Sequence, residues 1–353
     1  MSQFKTMALS SYVMLLVFSS VVFSSLAFSS FTHAQGTAAP STLSAIHFRS
    51  PRGSSIVVPV YMNDNGPFDF LLDTGSTITF IDPELLRSLK LDVIEGGTVT
   101  ALTGKSTVPL AIAQTVSVGP LIQSKVELGA RDLAGLHEMD SKIRGVLGQN
   151  VLRNADYLID YRNRTIEFDF GGSLAALLDG ERINTIRLET PDNPNYWNTE
   201  VPVKLAESNP HELNLILDTG SASVVLFSDS LDLARLSKRA SLPLSMKDDN
   251  GIRKSVAEYP AQIHVGAISL DVEARVMAVG FKGLGVNGLL PTAGFGSVYI
   301  SNSGGFVIFQ PKRRRNQTCD WSVAAVNRKA AKLPQCQHGT REVDGKELSS
   351  PSF

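Results

Sequence analysis

Apolar and polar positions alternate with a period of two over short stretches separated by turn residues, which predicts β-strands for most of the chain. In the segment Phe68-Asp-Phe-Leu-Leu-Asp73, Phe68, Phe70 and Leu72 share one face, while Asp69, Leu71 and Asp73 share the other. The same alternation returns far along the chain, where Leu213, Leu215 and Leu217 oppose Asn214, Ile216 and Asp218. Helical spacing occurs in two short segments, residues 83–90 and 228–237, with Asp82 and Ser228 placed to cap them. Asp248-Asp-Asn-Gly251 is the clearest hairpin turn.

The two alternating segments belong to a longer internal repeat. Val58-Pro59-Val60 recurs as Val201-Pro202-Val203, Phe70-Leu-Leu-Asp-Thr-Gly-Ser76 as Leu215-Ile-Leu-Asp-Thr-Gly-Ser221, Val116-Ser-Val-Gly119 as Ile263-His-Val-Gly266, and Ile143-Arg-Gly-Val-Leu147 as Val286-Asn-Gly-Leu-Leu290. The offsets are 143, 145, 147 and 143, and a closing hairpin around Tyr157 and Val298 repeats at 141. Matched features in one order with so little drift describe one unit written twice. The predicted halves are residues 45–171 and 183–311, joined by a linker over residues 172–182.

Length agrees with this division, because 353 residues exceed what one compact domain usually spans. Hydrophobic residues make up 43% and charged ones 19%, with 28 Gly and 17 Pro, which excludes disorder, collagen and coiled coil as the main state. The 33 Lys and Arg nearly balance the 34 Asp and Glu, so the basic excess of a dedicated nucleic-acid binder is missing.

The two ends add expectations about compartment. Lys5 is followed by an apolar stretch over residues 12–28, and Thr32 and Ala34 set small residues at the −3 and −1 positions of a cleavage site before Gln35. Residues 1–34 therefore read as a secretory signal peptide and 35–44 as a flexible N-terminus. The competing reading is an uncleaved membrane anchor, since the uncharged run from Thr6 to Thr32 is long enough to span a bilayer. Serine pairs dilute that run and favour cleavage. The expected localisation is thus exported, whether secreted, periplasmic or in the cell envelope. Cys319 and Cys336 are the only cysteines, and in an oxidising compartment they are a disulfide candidate worth about 3 kcal/mol on the chain-entropy model. Two free thiols are the alternative. The tail, 312–353, carries a basic run, Lys312-Arg-Arg-Arg315, that could touch an anionic envelope surface or simply be solvated. Asn163-Arg-Thr165 and Asn316-Gln-Thr318 are glycosylation sequons if the host glycosylates.

The chemistry lies in the repeat. Asp73 and Asp218 each end an apolar strand and enter a sharp turn, whose Gly75 or Gly220 can take unusual dihedrals and expose backbone N–H groups. If the halves pack about a pseudo-twofold axis, the two turns meet and their carboxylates become neighbours. Two such groups cannot both ionise, so one proton is shared, leaving a base to activate water and an acid to protonate a carbonyl or leaving group.

With these motifs in hand, the sequence resembles the aspartic peptidases, pepsin-like in carrying two lobes on one chain and retropepsin-like in the small size of each lobe. The resemblance covers about residues 50–311 and rests on Asp73-Thr-Gly-Ser76 and Asp218-Thr-Gly-Ser221, each followed by a Gly segment, 72 residues on at Gly145 and 70 residues on at Gly288. It implies a mostly β, two-lobed acid-protease fold of barrel-like lobes with a cleft between them. It also implies that Gly145 and Gly288 approach the backbone behind the turns, that Thr74 and Thr219 bond across the lobe interface, and that the Ser76 and Ser221 hydroxyls donate to the carboxylates. That stabilisation of an ionised dyad would favour acidic pH. The β-hairpin flap of the family falls on residues 99–107, with Leu102, Thr103, Gly104 and Lys105 as its tip. The chain departs from the pepsin pattern in having no Tyr or Trp between Asp73 and Gly145 and too few residues before the first strand for a pepsin-type prosegment.

Other signals fall away. Gly283-Leu-Gly-Val-Asn-Gly288 matches a dinucleotide fingerprint, but the next acidic residue is Asp320 and β-like sequence follows in place of a helix. No serine-hydrolase elbow or zinc-binding His pair occurs. The expected function is an exported aspartic endopeptidase acting on peptide or protein substrates through Asp73 and Asp218, with no metal, cofactor or nucleic-acid partner. A catalytically silent peptide-binding module of the same fold is the alternative. Similar lobes on one chain favour a monomer over an obligate dimer, and Leu71, Ile216 and Leu102 are candidates to line an apolar cleft.

Overall fold

The computed structural model describes residues 45–101, 104–178, 184–188, 198–206, 212–228, 243–247, 253–277 and 285–312. The signal segment, the flap residues Leu102 and Thr103, the helical expectation over 229–237, the turn at 248–251 and the cysteine-bearing tail beyond Lys312 lie outside the described residues. Everything described falls within one compact unit, Leu43–Phe353. No helix among the described residues is long and apolar enough to cross a membrane.

The first half supplies strands β1 (Ala45–His47), β2 (Val57–Met62), β3 (Asn65–Leu72), β4 (Thr79–Ile81) and β5 (Val93–Ala101). It continues with β6 (Gly104–Val118), β7 (Leu121–Ala130), β8 (Ile143–Leu147), β9 (Asp156–Asp160) and β10 (Thr165–Asp169). The second half supplies β11 (Thr185–Arg187), β12 (Glu200–Leu205), β13 (Glu212–Asp218), β14 (Val225–Phe227) and β15 (Pro243–Lys247). It ends with β16 (Arg253–Val265), β17 (Ile268–Met277), β18 (Gly288–Pro291), β19 (Ser297–Ser301) and β20 (Phe306–Gln310). Among the described residues, four short α-helices, α1 (Pro83–Ser88), α2 (Ala134–His137), α3 (Gln149–Leu152) and α4 (Ser173–Leu178), lie in the connections.

Two seven-stranded sheets carry the repeat, and their strand orders are the same: β2-β3-β8-β4-β7-β6-β5 and β12-β13-β18-β14-β17-β16-β15. Each curls back on itself through an added pairing, β2 with β6 and β12 with β16, which makes it barrel-like. The alternation predicted from sequence is observed: Phe68, Phe70 and Leu72 face the main core together with Leu213, Leu215 and Leu217. On the opposite faces Leu71 and Ile216 enter separate small clusters. The repeated glycines Gly119 and Gly266 take φ of +54° and +55° in the turns between β6 and β7 and between β16 and β17, a conformation open to residues without a Cβ. Asn63 and Asp64, both at positive φ, make the turn between β2 and β3.

A six-stranded sheet, ordered β1-β10-β9-β19-β20-β11, joins the halves. Its centre is the antiparallel pair β9–β19, in which Ile159 meets Val298 and Tyr157 meets Ile300, the same residues that marked the repeated closing hairpin. Two buried carboxylates lie in this sheet. Asp156 accepts from the Ser301 and Ser303 hydroxyls of the second half at 2.9 and 2.6 Å. Asp169 accepts from the backbone of Ser173 and Leu174 and, across the halves, from Tyr299 Oη at 3.1 Å. The expected linker therefore begins with an ordered helix, α4, whose Leu174 packs on Tyr299 and Ile308. Helix α1 forms where expected: Asp82 accepts from Leu85 N at 2.7 Å, Pro83 opens the first turn and Leu85 and Leu86 are buried.

Candidate active site

Strands β3 and β13 deliver Asp73 and Asp218 to the joint between the lobes. Behind each runs a parallel neighbour, β8 or β18, with Phe70 opposite Gly145 and Leu215 opposite Gly288. A Cβ on Gly145 would lie 2.0 Å from the Phe70 ring, and one on Gly288 would lie 2.0 Å from Val225 O. Both glycines are thus the close-approach positions expected from the sequence.

The two Asp-Thr-Gly turns are locked by four reciprocal hydrogen bonds. Thr74 Oγ1 donates to Leu217 O at 2.6 Å, and Thr219 Oγ1 donates to Leu72 O at 2.7 Å. Each hydroxyl also accepts from the other threonine's backbone N–H, at 3.0 Å in both directions. Both threonines are buried. The grip sets each glycine against the opposite carboxyl group: a Cβ on Gly75 would stand 2.8 Å from Asp218 Cγ, and one on Gly220 would stand 2.8 Å from Asp73 Cγ. Only a residue without a side chain fits there, and the two carboxyl groups come close enough to share a hydrogen bond.

Backbone donors complete the pair. Gly75 N–H reaches Asp73 Oδ1 at 2.9 Å, and Gly220 and Ser221 N–H groups reach Asp218 Oδ1 at 2.7 and 3.1 Å. Burial raises the Asp73 carboxyl above its ordinary range, opposed by the bonds from Asp218 and Gly75 and by the Arg131 charge. Burial together with the neighbouring Asp73 charge pushes Asp218 well above the ordinary range. Two carboxyl groups so placed oppose each other's ionisation.

Two expectations are corrected. The Ser76 and Ser221 hydroxyls do not serve the carboxylates: they donate to Ile78 O at 2.8 Å and Ser223 O at 2.7 Å, closing local turns two residues on. The stabilisation assigned to them comes instead from backbone N–H groups. Leu71 and Ile216 do not line an open cleft, being only 5% and 4% exposed within their clusters. The flap expectation corresponds to the β5–β6 hairpin, where Ala101 pairs with Gly104 and Thr100 with Lys105. Val99, two pairs from the Ala101–Gly104 end of the hairpin, packs on the cluster that holds Leu71 and Phe80.

Sequence reading missed Gln149, whose Nε2 donates to Thr74 O at 3.0 Å from a fully buried position. It also missed Thr292, likewise buried and hydrogen-bonded to Tyr161 Oη of the first half. Thr292 follows Pro291, which pairs with Asp218. The offset from Gln149 to Thr292 is 143, that of the glycine segments, so running the repeat four residues past Gly145 and Gly288 would have found both.

Two barrel-like lobes presenting paired Asp-Thr-Gly turns define an acid-protease architecture. Residues 58–151, from β2 to α3, match the family model described as aspartyl protease. Among solved structures the chain is similar to an aspartic proteinase from Irpex lacteus, with 13% identity, a TM-score of 0.46, and coverage of 76% of this chain and 97% of that one. No curated protein sequence matches the chain.

Proposed function

We propose that this protein is an exported aspartic endopeptidase in which Asp73 and Asp218 hold and activate the attacking water. The observation that carries the reading is the reciprocal threonine grip, which sets Gly75 on Asp218 and Gly220 on Asp73. A water between the carboxyl groups loses a proton to the ionised Asp73 as its oxygen attacks the scissile carbonyl carbon. The proton on Asp218 moves to the carbonyl oxygen, giving a neutral gem-diol. Collapse returns a diol proton to Asp218 while the proton on Asp73 passes to the departing amide nitrogen, so the dyad ends as it began. Backbone N–H groups of Gly75, Gly220 and Ser221 are fixed donors to the charge that moves between the carboxyl groups.

The pH dependence follows from the pair. Activity falls as pH drops through the Asp73 value, where the base is lost, and as pH rises through the higher Asp218 value, where the acid is lost. The β5–β6 hairpin is suited to close over an extended peptide, and a single chain supplies both halves of the site. Export rests on the N-terminal signal pattern, and envelope contact on the basic run at 312–315. Cleavage of a diverse peptide library from pH 3 to 8, by the parent, Asp73→Asn and Asp218→Asn, tests the reading. Cutting by the parent alone, with both variants folded, supports the dyad. Peptide binding without cutting by all three would hand the site to the silent binding module.

A further inference from the structure

Each half of the chain sends one side chain into the other from the residue that follows its central strand of the six-stranded sheet. The closing hairpins repeat at an offset of 141, which makes Tyr161, after β9, the counterpart of Asn302, after β19. Asn302 Nδ2 donates to Leu152 O at 3.3 Å and Ala155 O at 2.6 Å, at and beyond the end of α3 in the first half. Tyr161 Oη is hydrogen-bonded to Thr292 Oγ1 in the second half. The two crossings end at different places. Thr292 directly follows Pro291, the register partner of Asp218. The acceptors of Asn302 lie three and six residues past Gln149, away from the first Asp-Thr-Gly turn.

The two turns also differ in what holds them from behind. In the first lobe Gly148, Gln149 and Asn150 bracket the chain that follows Asp73. Gln149 Nε2 donates to Thr74 O at 3.0 Å, Gln149 N to Ser76 O at 2.8 Å, Asn150 N to Thr77 O at 3.2 Å, and Gly148 N to Thr79 Oγ1 at 3.1 Å. The offset of 143 that carries Gly145 to Gly288 carries Gly148 and Gln149 to Pro291 and Thr292. Proline has no N–H to give, and among the described residues no hydrogen bond runs from Thr292 to the turn over 219–223. Thr292 is held from the other half instead. Tyr161 is well placed to hold it: its N–H donates to Gly296 O at 3.1 Å, and its ring meets that of Phe48 edge-on at 6.0 Å. Burial raises the pKa of the phenol, opposed by the bond to Thr292, so the group stays neutral.

We propose that Tyr161 is a positioning residue for the Asp218 turn: through Thr292 it fixes the end of β18 on which Asp218 is registered, adding to the threonine grip a support that the second lobe lacks by itself. The first turn has its bracket within its own lobe, and the second takes its support from the first half. The effect of losing the bond is therefore one-sided. Pro291 and Thr292 are freed beside Asp218, whose Oδ1 accepts from Gly220 and Ser221 N–H. Gly75 N–H stays on Asp73, behind an intact bracket.

This inference rests on the reading of Asp73 and Asp218 as the catalytic pair, and its first test needs no cleavage. Amide hydrogen exchange at Gly220 and Ser221 relative to Gly75 is measured by NMR on the full-length protein, in the parent, Tyr161→Phe, Thr292→Val, Thr292→Ser and the Tyr161→Phe/Thr292→Val double variant. Loss of the bond should raise that ratio about 5- to 10-fold in both single variants, and Ser, which keeps the hydroxyl, should hold it at the parent value. The double variant should rise no further than either single one, since all three lose the same bond. Asn302→Ala removes the other crossing and should leave the ratio unchanged. Peptide cleavage should follow the same order, with kcat lowered about 3- to 10-fold in the variants without the bond and KM within about twofold of the parent. A ratio unmoved in Tyr161→Phe and Thr292→Val, a ratio moved as far by Thr292→Ser or Asn302→Ala, or an unchanged kcat in a parent that cuts peptide overturns the inference. A parent that shows the exchange pattern yet cuts no peptide counts against the peptidase reading and leaves the support of the Asp218 turn established.

Discussion

Replacing Thr74 by Val removes one hydroxyl and leaves the shape of the side chain unchanged, so the cost isolates the grip. The lost bonds are Thr74 Oγ1 to Leu217 O at 2.6 Å and Thr219 N to Thr74 Oγ1 at 3.0 Å. Thr74 is fully buried, so water does not replace them. One carbonyl and one N–H are left unpaired, each at about 1–3 kcal/mol, for a total of about 2–6 kcal/mol. Thr219→Val removes the other two bonds and should cost about the same. Thr74→Ser keeps the hydroxyl and should lose less than about 1 kcal/mol, the share of a buried methyl group. The double Val variant should fall short of the sum, because both changes loosen one joint. Urea unfolding of the full chain measures all four proteins, and peptide cleavage well below the unfolding midpoint reports the dyad. A loss under about 0.5 kcal/mol for Thr74→Val, or a Ser variant as unstable as the Val variant, would refute the reasoning.

Ala at Gly75 or Gly220 should abolish cleavage by driving a methyl to within 2.8 Å of the opposite carboxyl carbon, which cleavage assays beside circular dichroism would show. Gly288→Ala meets the Val225 backbone carbonyl at 2.0 Å and should cost more than about 2 kcal/mol in chemical unfolding. Because the folded state holds the Asp218 proton more tightly than the unfolded chain, its ionisation costs stability as pH rises from the ordinary carboxylate range through the raised value. Asp218→Asn should therefore be more stable than the parent at pH 7, by about 1 kcal/mol, with the gain gone at pH 3. Asp169 has the opposite sign: the bonds from Ala175, Tyr299, Leu174 and Ser173 hold it ionised against burial, so its contribution is present above the ordinary range and lost as pH falls through the depressed value. Asp169→Ala should cost about 2–4 kcal/mol at pH 7 and much less in strong acid, measured by thermal unfolding across pH.

Much of the site was legible because it is written in local, repeated motifs. Asp-Thr-Gly twice, with a glycine about seventy residues behind each, requires both turns to meet the same geometry, and Asp82-Pro83 announces a helix start. The alternation around Asp73 and Asp218 placed Phe68, Phe70, Leu71 and Leu72 of β3 and Leu213, Leu215, Ile216 and Leu217 of β13 on their observed faces. What escaped depends on partners distant in sequence. Ser76 and Ser221 had two acceptors within reach, and only the turn geometry shows that the carbonyls two residues on take the hydroxyls. Leu71 and Ile216 read as cleft residues because alternation gives a face without saying what covers it. Asp156 and Asp169 carry no motif, and their partners Ser301, Ser303 and Tyr299 lie in the second half, far along the chain. Arg131 carried no motif, and its place over Phe80 follows from the parallel pairing of β4 with β7.

The six-stranded sheet is divided evenly, with β1, β10 and β9 from the first half and β19, β20 and β11 from the second, so only the β9–β19 seam crosses between them. Each half owns a complete barrel and half a platform, and the edge it presents at the seam matches the edge it receives. The stretch between Leu178 and Asn184 then acts as a tether that raises the local concentration of one half around the other. A nick there would cut none of the described strands and none of the four threonine bonds, so two separately made halves carry all the described information needed to reassemble one cleft. Whether two first halves instead pair with each other turns on side chains that differ between the lobes, Tyr157 and Leu158 on one side of the seam against Ile300 and Tyr299 on the other.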